Sequence, residues 1–243
     1  VWAANGSAKI AEFAEINAKY IKLEIKESEG NFASAAEMKV RLPIVEEPST
    51  PVTTIFDDVA DTDWFADEVQ YVYDKSIMTG TSKTTFEPNL GVTRATIIQT
   101  LYKLEGKPTV SDFTKYNSLN DTPDDSWWRE ALAWALNEGV AKGDTTNNVF
   151  NPDNEVTRED LATFIYRYAQ YKDIDVELEK TVDEILGDTF VNSWAKTAFA
   201  WAIETGLIKG KTINGVSVLA PQEGATRAEL ATIMMRFYEN NEL

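Results

Sequence analysis

The 243-residue chain carries 40 Asp and Glu against 23 Lys and Arg, a net charge of −17, with 43% hydrophobic residues and 11% aromatics. That composition supports a packed core in one or two domains and opposes nucleic acid and anionic lipid as general partners. The chain has no His and no Cys, which excludes Ser-His-Asp and Cys-His catalysis, His- or thiolate-ligated zinc, and disulfides.

No window reaches the run of about 18 apolar residues needed to span a bilayer. The opening Val-Trp-Ala-Ala-Asn shows neither a start Met nor a basic stretch before an apolar one, so the chain is expected to be a piece of a longer protein with any signal peptide upstream. Residues 20–25 and 38–42 alternate in polarity as half-buried strands do. Two strands cannot hold a domain alone, and residues 1–42 therefore read as the end of a β-sandwich whose earlier strands are missing. Ala18-Lys19-Tyr20-Ile21-Lys22-Leu23-Glu24 and the later Phe32 to Val40 resemble the closing strands of discoidin-like (coagulation factor 5/8 type C) carbohydrate-binding domains. Residues 43–54, with Glu46-Glu47-Pro48-Ser49-Thr50-Pro51, read as a semi-extended acidic linker.

From residue 55 one pattern recurs three times: Phe56-Asp58-Trp64-Gly80-Thr93-Arg94, Leu119-Asp121-Trp127-Gly143-Thr157-Arg158 and Leu186-Asp188-Trp194-Gly210-Thr226-Arg227. The Asp-to-Trp and Trp-to-Gly intervals are identical in every copy, and Pro88, Pro152 and Pro221 each stand five residues before their Thr. The expected units are 55–108, 109–175 and 176–243, each a helix-loop-helix. Phe65, Val69, Val72 and Tyr73 share one face of the first helix, as do Trp128, Leu132, Ala135 and Leu136, and Ala195, Phe199, Ala202 and Ile203. The second helices present Ile97, Leu101 and Leu104, then Leu161, Ile165 and Tyr168, then Leu230, Met234 and Phe237. One such hairpin cannot bury its own apolar face, so the copies must pack together.

Thr226 with Glu229 has the form of a capping box at the second helix, Thr157 with Asp160 approximates it, and Thr93 with Thr96 does so weakly. The Arg after each Thr is a cation in a first turn, where the helix dipole opposes it. Arg94, Arg158 and Arg227 therefore read either as anion-binding forks at helix N-termini or as clamps paired with Asp58, Asp121 and Asp188. Trp64, Trp127 and Trp194 follow Asp63, Ser126 and Ser193, read as caps of the first helices. Since the core can be built without them, these indoles are free to stack on sugar rings, whereas Trp134 and Trp201, in register with Tyr71, read as packing residues. Gly80, Gly143 and Gly210 occupy the expected left-handed position after the first helix, with room for a ligand near the main chain. The acidic runs at 57–67 and 120–125 lack the central Gly and final Glu of an EF-hand loop, so no metal site is expected.

The Phe56-x-Asp58-Val59 phrase, the spaced Trp, Ile208-Lys209-Gly210, Phe86-Glu87-Pro88, Phe150-Asn151-Pro152 and Thr226-Arg227-Ala228-Glu229 together resemble the surface-layer homology (SLH) family over about residues 55–240. The resemblance implies a mainly α fold of three SLH repeats packed as a pseudo-threefold single-chain trimer. It implies a non-catalytic, cofactor-free, monomeric anchor for an exported protein at the extracellular cell wall or surface layer. Its partner would be a secondary cell-wall polysaccharide linked to peptidoglycan, commonly carrying ketal-pyruvylated amino sugars in grooves between repeats. Arg94, Arg158 and Arg227 would hold the pyruvyl carboxylate, helix N-terminal amides would add donors, and Trp64, Trp127 and Trp194 would pack on the sugar. Gly80, Gly143, Gly210, Ser126 and Ser193 complete the expected carbohydrate site. The repeats depart from one another at Thr96, at Glu159-Asp160 and at Leu219, and the third loop, 211–223, is longer, so the grooves are not expected to be fully equivalent. A lattice-forming segment of a surface-layer protein, or the non-catalytic part of a polysaccharide-degrading enzyme, are the competing expectations.

Overall fold

A computed structural model describes residues 50–213 and 215–241. The strands read at 20–25 and 38–42, with their likeness to a discoidin-like domain, lie outside the described residues. The fold that follows is mainly helical, with a single two-stranded sheet among the described residues.

Each repeat holds three helices rather than the two expected, a short one preceding the pair. The order is α1 (Val52–Ile55), α2 (Ala66–Asp74) and α3 (Arg94–Leu104), then α4 (Thr114–Asn117), α5 (Arg129–Asn137) and α6 (Arg158–Tyr171), then α7 (Val182–Leu186), α8 (Lys196–Glu204) and α9 (Arg227–Asn240). Residues 52–54, read as extended linker, are therefore helical, and Val52 is buried. An apolar residue so close to two prolines gave no periodic signal. The longer third loop carries the antiparallel pair β1 (Lys211–Ile213) and β2 (Val216–Val218).

The second helices start where the Thr residues placed them. Thr157 with Asp160 and Thr226 with Glu229 form complete capping boxes, and Thr93 accepts from the Thr96 amide. The first helices start later than expected. Their N-caps are Phe65, Trp128 and Ala195, without any side-chain cap, so Asp63, Ser126 and Ser193 do not serve as caps. The glycine expectation is corrected too: the left-handed residues closing the first helices are Ser76 (φ 58°), Gly139 (φ 76°) and Gly206 (φ 73°). Gly80, Gly143 and Gly210 stand four residues beyond, where a Cβ has no room. At Gly80 it would meet the Ser82 and Thr85 carbonyl oxygens at 2.4 and 2.6 Å and the Phe56 ring at 2.6 Å.

The predicted apolar faces form the core. Val69, Val72, Leu132, Ala135, Phe199, Ile97, Leu101, Leu161, Leu230, Met234 and Phe237 are all fully buried. Packing crosses the repeats: α3 lies against α5, α6 against α8, and α9 returns to α2. Each hairpin thus covers its apolar face with its neighbour's, and the last repeat closes onto the first. A ring of main-chain hydrogen bonds marks the pseudo-threefold axis. The Val92 amide donates to Ala225 O (2.8 Å), the Ala225 amide to Val156 O (2.9 Å), and the Val156 amide to Val92 O (2.8 Å). Since all three residues are buried, these bonds satisfy polar groups that would otherwise cost about 1–3 kcal/mol each.

Candidate functional site

The arginines lie at the seams of this ring. Arg94 Nε donates to Phe150 O (2.8 Å) and its Nη2 to Lys142 O (2.9 Å). Arg158 makes the same contacts with Leu219 O (3.2 Å) and Lys209 O (2.7 Å). Arg227 closes the circle onto the first repeat through Phe86 O and Thr79 O, both at 2.8 Å. The guanidinium planes of Arg94 and Arg227 also rest over the Phe150 and Phe86 rings, at 4.4 and 4.6 Å from their centroids. Each arginine therefore clamps the loop of the next repeat in the cycle.

Of the two expectations for the arginines the contacts present are those of a clamp, but with main-chain carbonyls in place of Asp58, Asp121 and Asp188. Asp58 and Asp121 instead accept from their own repeat's loop amides. Asp58 receives Phe86 N and Glu87 N at 2.8 and 2.7 Å, and Asp121 receives Phe150 N and Asn151 N at 2.8 and 2.6 Å. These bonds hold Glu87 (φ 55°) and Asn151 (φ 58°) in the left-handed region, which turns the Phe86 and Phe150 carbonyls toward the arginines. Asp188 is exposed and makes no equivalent bond among the described residues. Burial lowers the pKa of Arg94 from its ordinary value, with Asp160 and Asp121 acting against it, and that of Arg227, with Glu87 and Asp58 opposing. A guanidinium keeps its charge through such shifts.

The helix N-terminal amides, expected as ligand donors, are already engaged. Arg94 N and Ala95 N donate to Asn154 O and Pro152 O, Arg158 N and Glu159 N to Glu223 O and Pro221 O, and Arg227 N and Ala228 N to Leu90 O and Pro88 O. The proline carbonyl five residues before each Thr is thus the acceptor for the helix of the preceding repeat in the cycle. What remains free is one nitrogen. Nη1 of Arg94 and of Arg227 has no protein partner among the described residues and is not sealed from solvent.

The tryptophans divide as the periodicity required. Trp134 and Trp201 are buried, while Trp64, Trp127 and Trp194 are 64%, 64% and 54% exposed. Beside Trp127 opens a groove of about 700 Å³, with Ser126 and Trp128 in its lining together with Asp121, Pro123, Asn151 and Asn154. Its lining comes from the second repeat, and the carbonyls of the lining residues Pro152 and Asn154 accept the Ala95 and Arg94 amides of the first. Ser126 is half-buried in it, whereas Ser193 is exposed.

The sequence model of the S-layer homology domain matches residues 55–98, 118–162 and 191–231, just over half of the chain. This chain belongs to the S-layer homology family. It is 28% identical over 190 residues to a protein named amylopullulanase from Thermoanaerobacterium thermosulfurigenes, covering 76% of this chain and 10% of that protein. It is likewise 28% identical over 190 residues to exoglucanase XynX of Acetivibrio thermocellus, covering 76% of this chain and 16% of the relative. The surface-layer 125 kDa protein of Lysinibacillus sphaericus is 26% identical over 211 residues, 86% of this chain and 17% of the relative. The S-layer homology stretch is thus a small part of long proteins, some named as enzymes and some as surface-layer proteins. It is a non-catalytic module of cell-surface anchoring, and its place is extracellular, at the cell surface. Among the described residues no helix is long and apolar enough to cross a membrane, and no cluster of acidic side chains could hold a metal ion.

Proposed function

We propose that this S-layer homology module holds an exported protein to the bacterial cell wall by binding a pyruvylated secondary cell-wall polysaccharide, linked to peptidoglycan, in the grooves between its repeats. The observation that carries the reading is the exposure of three indoles at equivalent positions, Trp64, Trp127 and Trp194, in a protein that buries Trp134 and Trp201. An exposed indole offers a flat apolar face that matches a sugar ring. Arg94, whose backbone amide binds the carbonyl of the groove-lining Asn154, keeps Nη1 free among the described residues, and a guanidinium N–H that meets a carboxylate makes a charge-assisted bond. The net charge of −17 does not forbid an anionic ligand, because screening confines charge effects to about 8 Å at physiological salt.

In this reading Arg94 and Arg227 hold pyruvyl carboxylates while Trp64 and Trp127 stack on the sugars. The Ser126 hydroxyl lies within the same groove, and Gly80 and Gly143 keep the loops carrying the arginine-binding carbonyls close to the core. Several modest sites on one polymer raise the effective concentration of each, so the module anchors firmly as a single chain. The clamps favour a second reading, in which the arginines only join the repeats of a surface lattice segment. That reading accounts for the arginines and leaves the exposed Trp64 and Trp127 without a role.

Sedimentation with purified cell-wall sacculi tests the proposal. The chain is expected to pellet with sacculi that retain their secondary polymer and to stay in solution after that polymer has been extracted. Equal pelleting with both preparations, or none with either, overturns it.

A further inference from the structure

The three seams share one plan but differ in charge. The third residue of each long second helix stands toward the arginine of the preceding repeat in the cycle. Glu229 reaches Nη1 of Arg158 at 2.9 Å, and Lys211 lies 3.5 Å from the same carboxylate. Asp160, one methylene shorter, acts on Arg94 from a distance and forms no ion pair with it among the described residues. Thr96 holds the equivalent register toward Arg227 and carries no charge. Arg158 is therefore neutralised and sealed, its side chain 5% exposed, while its two counterparts keep one nitrogen open.

A second carboxylate lies at the same seam. Glu159 occupies the position that is Ala95 in the first repeat and Ala228 in the third. It is 1% exposed, and its carboxylate accepts from the Asn192 backbone amide at 3.1 Å and from Asn192 Nδ2 at 2.5 Å. Asn192 stands two residues before Trp194, on the segment equivalent to the wall of the open groove beside Trp127. A buried carboxylate of the protein itself is thus bonded to Asn192, at the register that falls between Pro123 and Ser126 of the open groove's lining. Glu229 cancels the charge of Arg158 that would attract an anion, and Glu159, held only by neutral amides, adds a negative charge that repels an anionic sugar at close range, where screening is weak.

Resting on the anchoring reading above, we infer that the seam between the second and third repeats is closed to carboxylate-bearing saccharides by Glu159 and Glu229. Binding then goes through Arg94 with Trp127 and Arg227 with Trp64, whose arginines each keep one nitrogen free among the described residues. Glu159 and Glu229 are specificity determinants: they limit how many anionic sugars one chain accepts.

The test uses the full chain labelled with 15N, whose indole signals are assigned by single Trp→Phe variants. The probe is a synthetic N-acetylhexosamine bearing a 4,6-linked pyruvyl ketal, with the unketalised sugar as control. The ketal sugar is expected to shift the Trp64 and Trp127 indoles saturably and to leave Trp194 in place, with two sugars bound per chain by calorimetry. The double variant E159A/E229T, which installs the residues found at Ala95 and Thr96, is expected to bring Trp194 into the titration and raise the stoichiometry to three. Should it not fold, E159Q/E229Q, which keeps volume and removes charge, is read in the same way. The inference is overturned if Trp194 responds in the unmodified chain within about threefold of the other affinities, or if a folded double variant still binds two. If no indole responds to the ketal sugar in either protein, the anchoring reading itself fails.

Discussion

Arg158→Ala removes the most fully engaged of the ring clamps, and the structure sets the size of the effect. The side chain makes three hydrogen bonds, to Leu219 O at 3.2 Å, Lys209 O at 2.7 Å and Glu229 Oε1 at 2.9 Å. Its loss strands two loop carbonyls and leaves Glu229, with a side chain 14% exposed, with only Lys211 at 3.5 Å and the Thr226 amide at 3.0 Å as partners. Breaking a buried ion pair from one side costs about 3–5 kcal/mol, and Lys211 compensates part of it, so we expect about 3–4 kcal/mol. For a unit of this size 1 kcal/mol moves the midpoint by about 2–4 °C, which places the loss near 10 °C. Urea and thermal unfolding followed by helical ellipticity measure it. Arg158→Ala/Glu229→Thr is expected to recover a net of about 1 kcal/mol, because the stranded carboxylate is gone although its capping bond from the Thr226 amide is lost with it. A drop below about 1 kcal/mol, the size of an exposed pair, would refute the clamp; so would a double variant no more stable than the single one.

The remaining predictions follow from local geometry. Gly80→Ala forces a Cβ to within 2.4 Å of a carbonyl oxygen, whereas at Gly143 the nearest atom is a Leu119 methyl at 3.0 Å. Gly80→Ala should therefore cost at least about 2 kcal/mol and Gly143→Ala distinctly less, as thermal melts will show. Ser76→Gly relieves a left-handed residue (φ 58°) and is expected to stabilise by about 1 kcal/mol. Asp121→Ala frees the Phe150 and Asn151 amides and should cost about 2–4 kcal/mol. Asp188→Ala, at an exposed carboxylate without that role, should change the stability by no more than about 0.5 kcal/mol.

Much of this was legible in the sequence for a definite reason. A threefold repeat supplies its own comparison, so the apolar registers of α2, α5 and α8 and the Thr caps of α3, α6 and α9 could be read by aligning the chain with itself. Trp64 could be told from Tyr71 and Trp134 because its register lies outside the buried stripe. Contacts made by main-chain atoms were not legible. Nothing in the letters Lys142, Phe150 or Pro152 announces that their carbonyls receive Arg94 and the α3 amides, and an arginine beside many acids suggests a carboxylate partner first. The glycine role was misassigned because closure of a helix and close approach of two chains select the same residue. The left-handed turn fell four residues earlier, at Ser76 in one repeat, where the residue type gave no sign. Glu159 was visible only as a departure from Ala95 and Ala228, and its partner Asn192 is 33 residues away.

In the proposed function the module recognises a pyruvylated wall polymer through its exposed indoles and free guanidinium nitrogens. Calorimetric titration of the full chain with purified secondary polymer, before and after mild acid removal of its pyruvyl ketals, tests it most directly when run beside Trp64→Ala/Trp127→Ala. The account predicts saturable heat only with the ketal-bearing polymer, and at least a tenfold loss of affinity in the double variant with its helical content and melting point unchanged. Equal binding to the stripped polymer, or full affinity without the two indoles, would contradict it.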